Sequence, residues 1–194
     1  MIVCESIRLA FFAVPRTGST AIETLLISQY GGIKKGNKHS TYKSLKPEQH
    51  SELASYTKVA GLRNPFDSLF SKYWKVKSEH NDRRKGKFAS RLRQENWDFN
   101  RFISESERRG ALQSFMQVEW DTLQYIDAFI RFESIQSDWA ELCRDQGWRH
   151  ETIPLINPTN KPAESNYQEH CDQATIDILR EHCRDYLNKY NYDF

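Results

Sequence analysis

The sequence predicts an α/β fold, a mostly parallel central sheet with helices on both faces, and three stretches carry that expectation. In "LAFFAVPRTGSTAIETLL" a continuous apolar run, Leu9 to Val14, gives way to a polar turn and then to apolar residues at helical spacing. In "YTKVAGLRNPFDSLFSKYW", Tyr56 to Trp74, a second apolar run ends in Arg63 and passes straight into a helix signal. A third strand candidate, Tyr125 to Phe132, leads into a helix signal that opens at Ser134. Strand runs that alternate with amphipathic helices are the pattern of βαβ units, whose strands lie parallel.

Taken in order, each element has its own justification. Leu9 to Val14 lacks the alternation of a half-exposed strand, so it reads as a strand buried on both faces. Ile22, Leu25, Leu26 and Tyr30 recur at helical spacing, which predicts a helix from about Thr20 to Tyr30 that ends at the Gly31-Gly32 break. Val59 to Leu62 is the next strand. After it Asn64 suits the N-cap, Pro65 the first helical position, and Asp67 the first turn, where the helix dipole favours a negative charge. That helix packs Phe66, Leu69, Phe70, Tyr73 and Trp74. Trp97, Phe102 and Ile103 suggest another helix, and Ser134 opens one carrying Ile135, Trp139, Leu142 and Cys143 that stops at Gly147. The final helix shows Ile176, Leu179, Cys183, Tyr186, Leu187 and Tyr190, after the Pro-rich loop "INPTNKPAESNY".

Composition bounds the function. With 194 residues and no repeats, a single domain over residues 1–194 is expected, large enough to bury a substantial core. A formal net charge of +2 gives no global argument for nucleic acid or another polyanion. The N-terminal apolar stretch is too short to span a bilayer and no cleavage site follows it, so a soluble, cytoplasmic protein without a transmembrane segment is expected. The four cysteines, Cys4, Cys143, Cys171 and Cys183, show no tight disulfide spacing, which favours reduced thiols. "EHC" occurs twice, but on one helix the two His-Cys pairs would stand about 18 Å apart, too far for one tetrahedral metal site. Cys183 reads as core and no metal is expected.

The turn after the first strand carries the chemistry. Thr17, Gly18, Ser19 and Thr20 offer small residues, hydroxyls and backbone N–H groups at a helix N-terminus, and Arg16 adds a fixed positive charge. That combination suits an oxyanion. A plain turn with a Ser or Thr cap would account for Ser19 and Thr20 but not for Arg16. The nucleoside-triphosphate loop G-x-x-x-x-G-K-[ST] is absent, since there is one glycine and no Lys before the Ser. In the second stretch, Arg63 at a strand's carboxyl end and Ser71 on the following helix flank the crevice where open α/β sheets bind ligands.

Together "VPRTGST" and "RNPFDSLFSKY" resemble the two donor-binding motifs of the sulfotransferases that use 3′-phosphoadenosine 5′-phosphosulfate (PAPS), and the likeness is to the carbohydrate type. The resemblance implies a P-loop-nucleotide-kinase-like fold. It implies that Arg16, Thr17, Gly18, Ser19 and Thr20 bind the 5′-phosphosulfate, with Arg16 also catalytic, and that Arg63 and Ser71, eight residues apart, bind the 3′-phosphate. The family pattern usually has Lys where Arg16 stands; protein-tyrosine sulfotransferases resemble this chain in having Arg. The likeness continues through "YIDAFIRFESIQSDWAELCRDQGW" to "NKYNYDF", and Lys161 resembles a basic residue brought late to the donor.

By this resemblance the chain moves a sulfuryl group from PAPS to an acceptor hydroxyl on a glycan or glycolipid, releasing 3′-phosphoadenosine 5′-phosphate (PAP), without a metal and without nucleic acid. His39 in "GNKHSTYKSL" is the expected base, because imidazole suits proton transfer near neutral pH and similar segments supply the base in carbohydrate sulfotransferases. Glu23, read as the solvent face of the first helix, and Glu52 are the other candidates. The run "RRKGKFASRLR" packs six basic residues, Arg83, Arg84, Lys85, Lys87, Arg91 and Arg93, either as a solvated segment or as a mobile edge that attracts an anionic acceptor. Two other readings stay open: a small-molecule or nucleotide kinase with a degenerate phosphate turn, and a non-catalytic polyanion binder.

Overall fold

The computed structural model describes residues 1–78, 86–113, 122–156 and 166–194. In chain order its elements include β1 (Ile2–Cys4), β2 (Leu9–Phe12), α1 (Ser19–Tyr30), β3 (Ile33–Lys34), α2 (Pro47–Leu53), β4 (Thr57–Leu62), α3 (Pro65–Ser78), α4 (Lys87–Gln94), α5 (Phe99–Arg108), β5 (Ala128–Arg131), α6 (Ile135–Gln146) and α7 (Gln173–Tyr190). The described residues fall into two compact units. The first holds Met1–Arg63 with residues 122–156, and the second holds residues 64–78, 86–113 and 166–194.

The first unit is built on a five-stranded sheet in the order β3-β1-β2-β4-β5. β2, β4 and β5 pair in parallel, as expected. β1, however, pairs antiparallel with both β2 and β3, so the sheet is mixed rather than mostly parallel. The reason is the connection: residues 5–8 are too few for a crossover, and a short connection can join only antiparallel neighbours. Arg8 closes that hairpin in the left-handed region at φ 48°. "MIVC" was legible only as part of an apolar leader, because three residues are too short to show strand periodicity.

β2 is shorter than the apolar run that predicts it, yet Leu9 to Val14 are all buried. Alternate residues use opposite faces. Leu9, Phe11 and Ala13 join Val59 and Ile130 in a core with Ile22, Leu25 and Leu26 of α1 and Trp139, Leu142 and Cys143 of α6. On the other face the Phe12 ring meets Tyr42 edge-on, with centroids 5.8 Å apart. Gly31 and Gly147 end α1 and α6 in the left-handed conformation, as their positions in sequence imply. Ser134 stands at the N-cap of α6 without a side-chain cap bond.

In the second unit Phe66, Leu69, Phe70 and Tyr73 of α3 pack with Phe99 and Phe102 of α5 and with Leu179 and Cys183 of α7. Cys183 is core, and His182 faces Glu107 at 3.7 Å. Asn64 caps α3 as expected: its Oδ1 accepts from the Phe66 amide at 3.0 Å, while its amide group donates to the Asp193 carbonyl at 2.7 Å. The described part of the basic run is ordered by its neighbours. Lys87, Arg91 and Arg93 lie on α4, where Arg91 pairs with Glu95 at 3.0 Å and Arg93 donates to the Val76 carbonyl at 2.9 Å. Arg83, Arg84 and Lys85 lie outside the described residues, as does Lys161. No helix among the described residues is long and apolar enough to cross a membrane.

Candidate functional site

The site grows from the turn between β2 and α1. Arg16 takes a left-handed backbone (φ 69°) that a branched or bulky residue adopts rarely, so the turn holds its conformation by its surroundings rather than by local preference. Thr17 is buried, and its hydroxyl donates to the Val14 carbonyl at 2.9 Å. That hydroxyl proton braces the turn from inside. Gly61 of β4 lies directly against Thr17: a Cβ at Gly61 would fall 2.4 Å from Thr17 Oγ1 and 3.0 Å from its carbonyl. Only the missing side chain lets the turn sit this close to the strand.

Gly18 is the N-cap of α1 at φ 73°, and a Cβ there would lie 3.0 Å from Ile135 Cδ1 and 3.2 Å from Phe132 Cδ2. Glycine is thus favoured twice, by the backbone and by the space. No side chain caps α1. The Gly18 carbonyl accepts from the Ala21 amide at 2.9 Å, leaving the first-turn amides of Ser19 and Thr20 with no helical carbonyl behind them. Unpaired first-turn amides and the helix dipole are the features that favour an anion at such a position.

Arg63 directly follows β4 and is buried. One Nη1–H donates to the Arg16 carbonyl at 2.8 Å, and the guanidinium lies 3.8 Å from the centroid of the Phe132 ring. The two arginines singled out from separate stretches therefore meet, because β2 and β4 are adjacent parallel strands and end at the same edge. Ser71 lies in the second unit, fully buried on α3.

The chain after α1 returns to this turn. His39 is exposed, and its Nδ1 lies 2.8 Å from the Ala13 carbonyl. A carbonyl oxygen can only accept, so Nδ1 carries the hydrogen of this contact, and in the neutral ring the lone pair is on Nε2. Lys38, the preceding residue, donates from Nζ to Thr20 Oγ1 at 2.9 Å and stands 3.5 Å from the Glu23 carboxylate. Glu23 is not on the solvent face of α1 as the sequence suggests. It is 7% exposed, with the Lys38 ammonium 3.5 Å from its carboxylate, and it lines a cavity of about 200 Å³ together with Thr20, Thr24, Lys34, Gly36 and Lys38 among others. Glu52 is bound to the Lys35 ammonium, and that hydrogen bond holds the Lys35 pKa above its ordinary value.

Sequence reasoning missed Gly61, Phe132 and Lys38. Gly61 carried a signal, a glycine inside an otherwise apolar strand, which marks a close backbone approach. Lys38 had none beyond standing next to His39, since its partners lie on a helix that precedes it by more than a dozen residues.

A family model described as the sulfotransferase family matches residues 1–194 of the chain. Compared with curated proteins and with solved structures, the chain finds no match.

Proposed function

The chain belongs to the sulfotransferase family, which makes it a transferase of sulfuryl groups, and from that premise we propose PAPS as the donor and a carbohydrate hydroxyl as the acceptor. The observation that carries the reading is the bond from Arg63 to the Arg16 carbonyl, which joins the residues of the two donor motifs at the carboxyl edge of β2 and β4. A ligand with anionic groups at both ends of a nucleoside suits that edge.

Each residue then has a defined task. The Ser19 and Thr20 amides and the Arg16 guanidinium meet the 5′-phosphosulfate, and charge that grows on the departing phosphate finds donors already aimed at it. Arg63 meets the 3′-phosphate, and Ser71 takes the same task from its motif spacing alone. As the acceptor oxygen bonds to sulfur, the bond from sulfur to the donor's phosphate oxygen breaks and its electron pair leaves on PAP. The acceptor's proton goes to Nε2 of His39, whose Nδ1–H is already fixed by Ala13. The chain's own groups perform the proton transfer and the charge stabilisation, and proximity supplies much of the rate.

Thermal stability with added nucleotides tests this reading. PAP should raise the melting temperature well above the effect of AMP or of ATP with Mg²⁺, since a ligand at a hundred times its Kd stabilises the folded state by about 2.7 kcal/mol. Equal shifts with PAP and AMP would remove PAPS as donor, and a larger shift with ATP and Mg²⁺ would point to phosphoryl transfer.

A further inference from the structure

We infer that Lys38 is a second cation, beside Arg16, at the 5′ end of the donor site, a ligand of the donor's 5′-phosphate, and that Glu23 is its counter-ion and not a catalytic base. The inference rests on the reading of the β2–α1 turn as a phosphosulfate site. Two consecutive residues of the segment after α1 are fastened to opposite ends of that turn. His39 holds the Ala13 carbonyl before it, and Lys38 holds the Thr20 hydroxyl after it.

The distances say which partner dominates. At 2.9 Å the contact to Thr20 Oγ1 is a well-formed hydrogen bond, whereas the Glu23 carboxylate at 3.5 Å is a charge partner at longer range. An ammonium has three donors, so one remains for an anion at the turn. Because Thr20 Oγ1 accepts from Lys38, its own O–H is turned away from the ammonium. The Lys38 side chain is 47% exposed and borders the cavity beside α1, so the ammonium has room to lean toward a phosphate without displacing backbone. Glu23, whose side chain is 9% exposed, has no such freedom and lies beneath the lysine. A buried carboxylate beside an exposed cation offsets part of that cation's field; being buried, it is poorly placed to reach an acceptor hydroxyl.

Isothermal titration with PAP and AMP as probes tests this, because both carry the 5′-phosphate and only PAP carries the 3′-phosphate. Lys38→Met should weaken both nucleotides by about tenfold, as expected for one charge-assisted hydrogen bond, and Lys38→Arg should restore most of the affinity. Arg63→Ala, in contrast, should weaken PAP far more than AMP. Glu23→Gln should tighten both nucleotides several-fold at low salt, and the gain should vanish in the Lys38→Met background. Lys38→Met within twofold of the parent protein for both nucleotides would overturn the inference. So would a Glu23→Gln enzyme that loses kcat by orders of magnitude with PAP affinity unchanged, the signature of a base. If the parent protein binds PAP no tighter than AMP, the PAPS reading fails, and the Lys38 effect on AMP still decides the inference by itself.

Discussion

At the scale of single residues, the proposed roles divide into groups that hold charge and one that moves a proton. His39→Ala is expected to lower kcat by roughly 10²- to 10⁴-fold, the usual worth of a positioned general base, with PAP affinity within about threefold of the parent. Steady-state kinetics with one working acceptor, beside PAP titration, checks both halves; a variant with near-parental kcat would remove His39 from the mechanism. Arg16→Ala should differ by weakening PAP binding as well as kcat, since its charge serves the bound donor before and during transfer. For Arg63→Ala two losses are expected together. The preference for PAP over AMP should disappear, and stability should fall by about 1–3 kcal/mol in urea denaturation because the Arg16 carbonyl loses its buried donor. A variant that loses stability but keeps the PAP preference would confine Arg63 to bracing the turn.

At the scale of elements, what matters is how closely β4 approaches the turn. Gly61→Ala places a methyl 2.4 Å from Thr17 Oγ1, inside any allowed contact, and backbone stands behind it at 3.0 Å. The turn must move outward. The expected result is a loss of about 1–3 kcal/mol, the usual cost of overpacking, together with weaker PAP binding. Denaturation midpoints and PAP titration on the one variant check this, and a fully stable Gly61→Ala with unchanged affinity would mean that the turn is not held by β4. The cap of α3 is legible at the same scale. Asn64→Ala should cost about 1 kcal/mol for the cap bond to Phe66 and more for the severed tie to Asp193. Both effects are local geometry read from a few atoms, and neither depends on the ligand.

At the scale of the whole molecule, thiols held from water contribute to the alkaline limit of stability. Burial pushes the Cys4 thiol on β1 from 9.0 up to about 11, and Cys171 likewise to about 11, with Asp172 adding to the burial effect. The folded pKa lies above the unfolded one. The protonated thiols therefore contribute stability that is fully present below pH 9 and lost as pH rises through about 11, because unfolding lets them ionise earlier. Urea denaturation at intervals from pH 8 to pH 11 should show that decline, and Cys4→Ala should make it shallower over the same window. An identical slope in the variant would show that Cys4 ionises equally well in the folded chain.

Much of this was written in the sequence because it is local. The run Leu9 to Val14, the turn with Arg16 and Gly18, the Asn64-Pro65 start of α3 and the glycine stops of α1 and α6 each depend on a few neighbouring residues, and each stands where its pattern says. The direction of β1 was not legible, because a three-residue strand has no measurable period and its pairing is decided by a hairpin. Nor was the burial of Glu23, which a helical wheel assigns to solvent and which Lys38 covers from a later segment. The meeting of Arg63 with the Arg16 carbonyl and the fixed tautomer of His39 are of the same kind. Sequence by itself named the candidates for anion binding and proton transfer. Tertiary structure decided which of them share one edge of the sheet, because that depends on strand order, and strand order is set by packing and connection length between residues far apart in the chain.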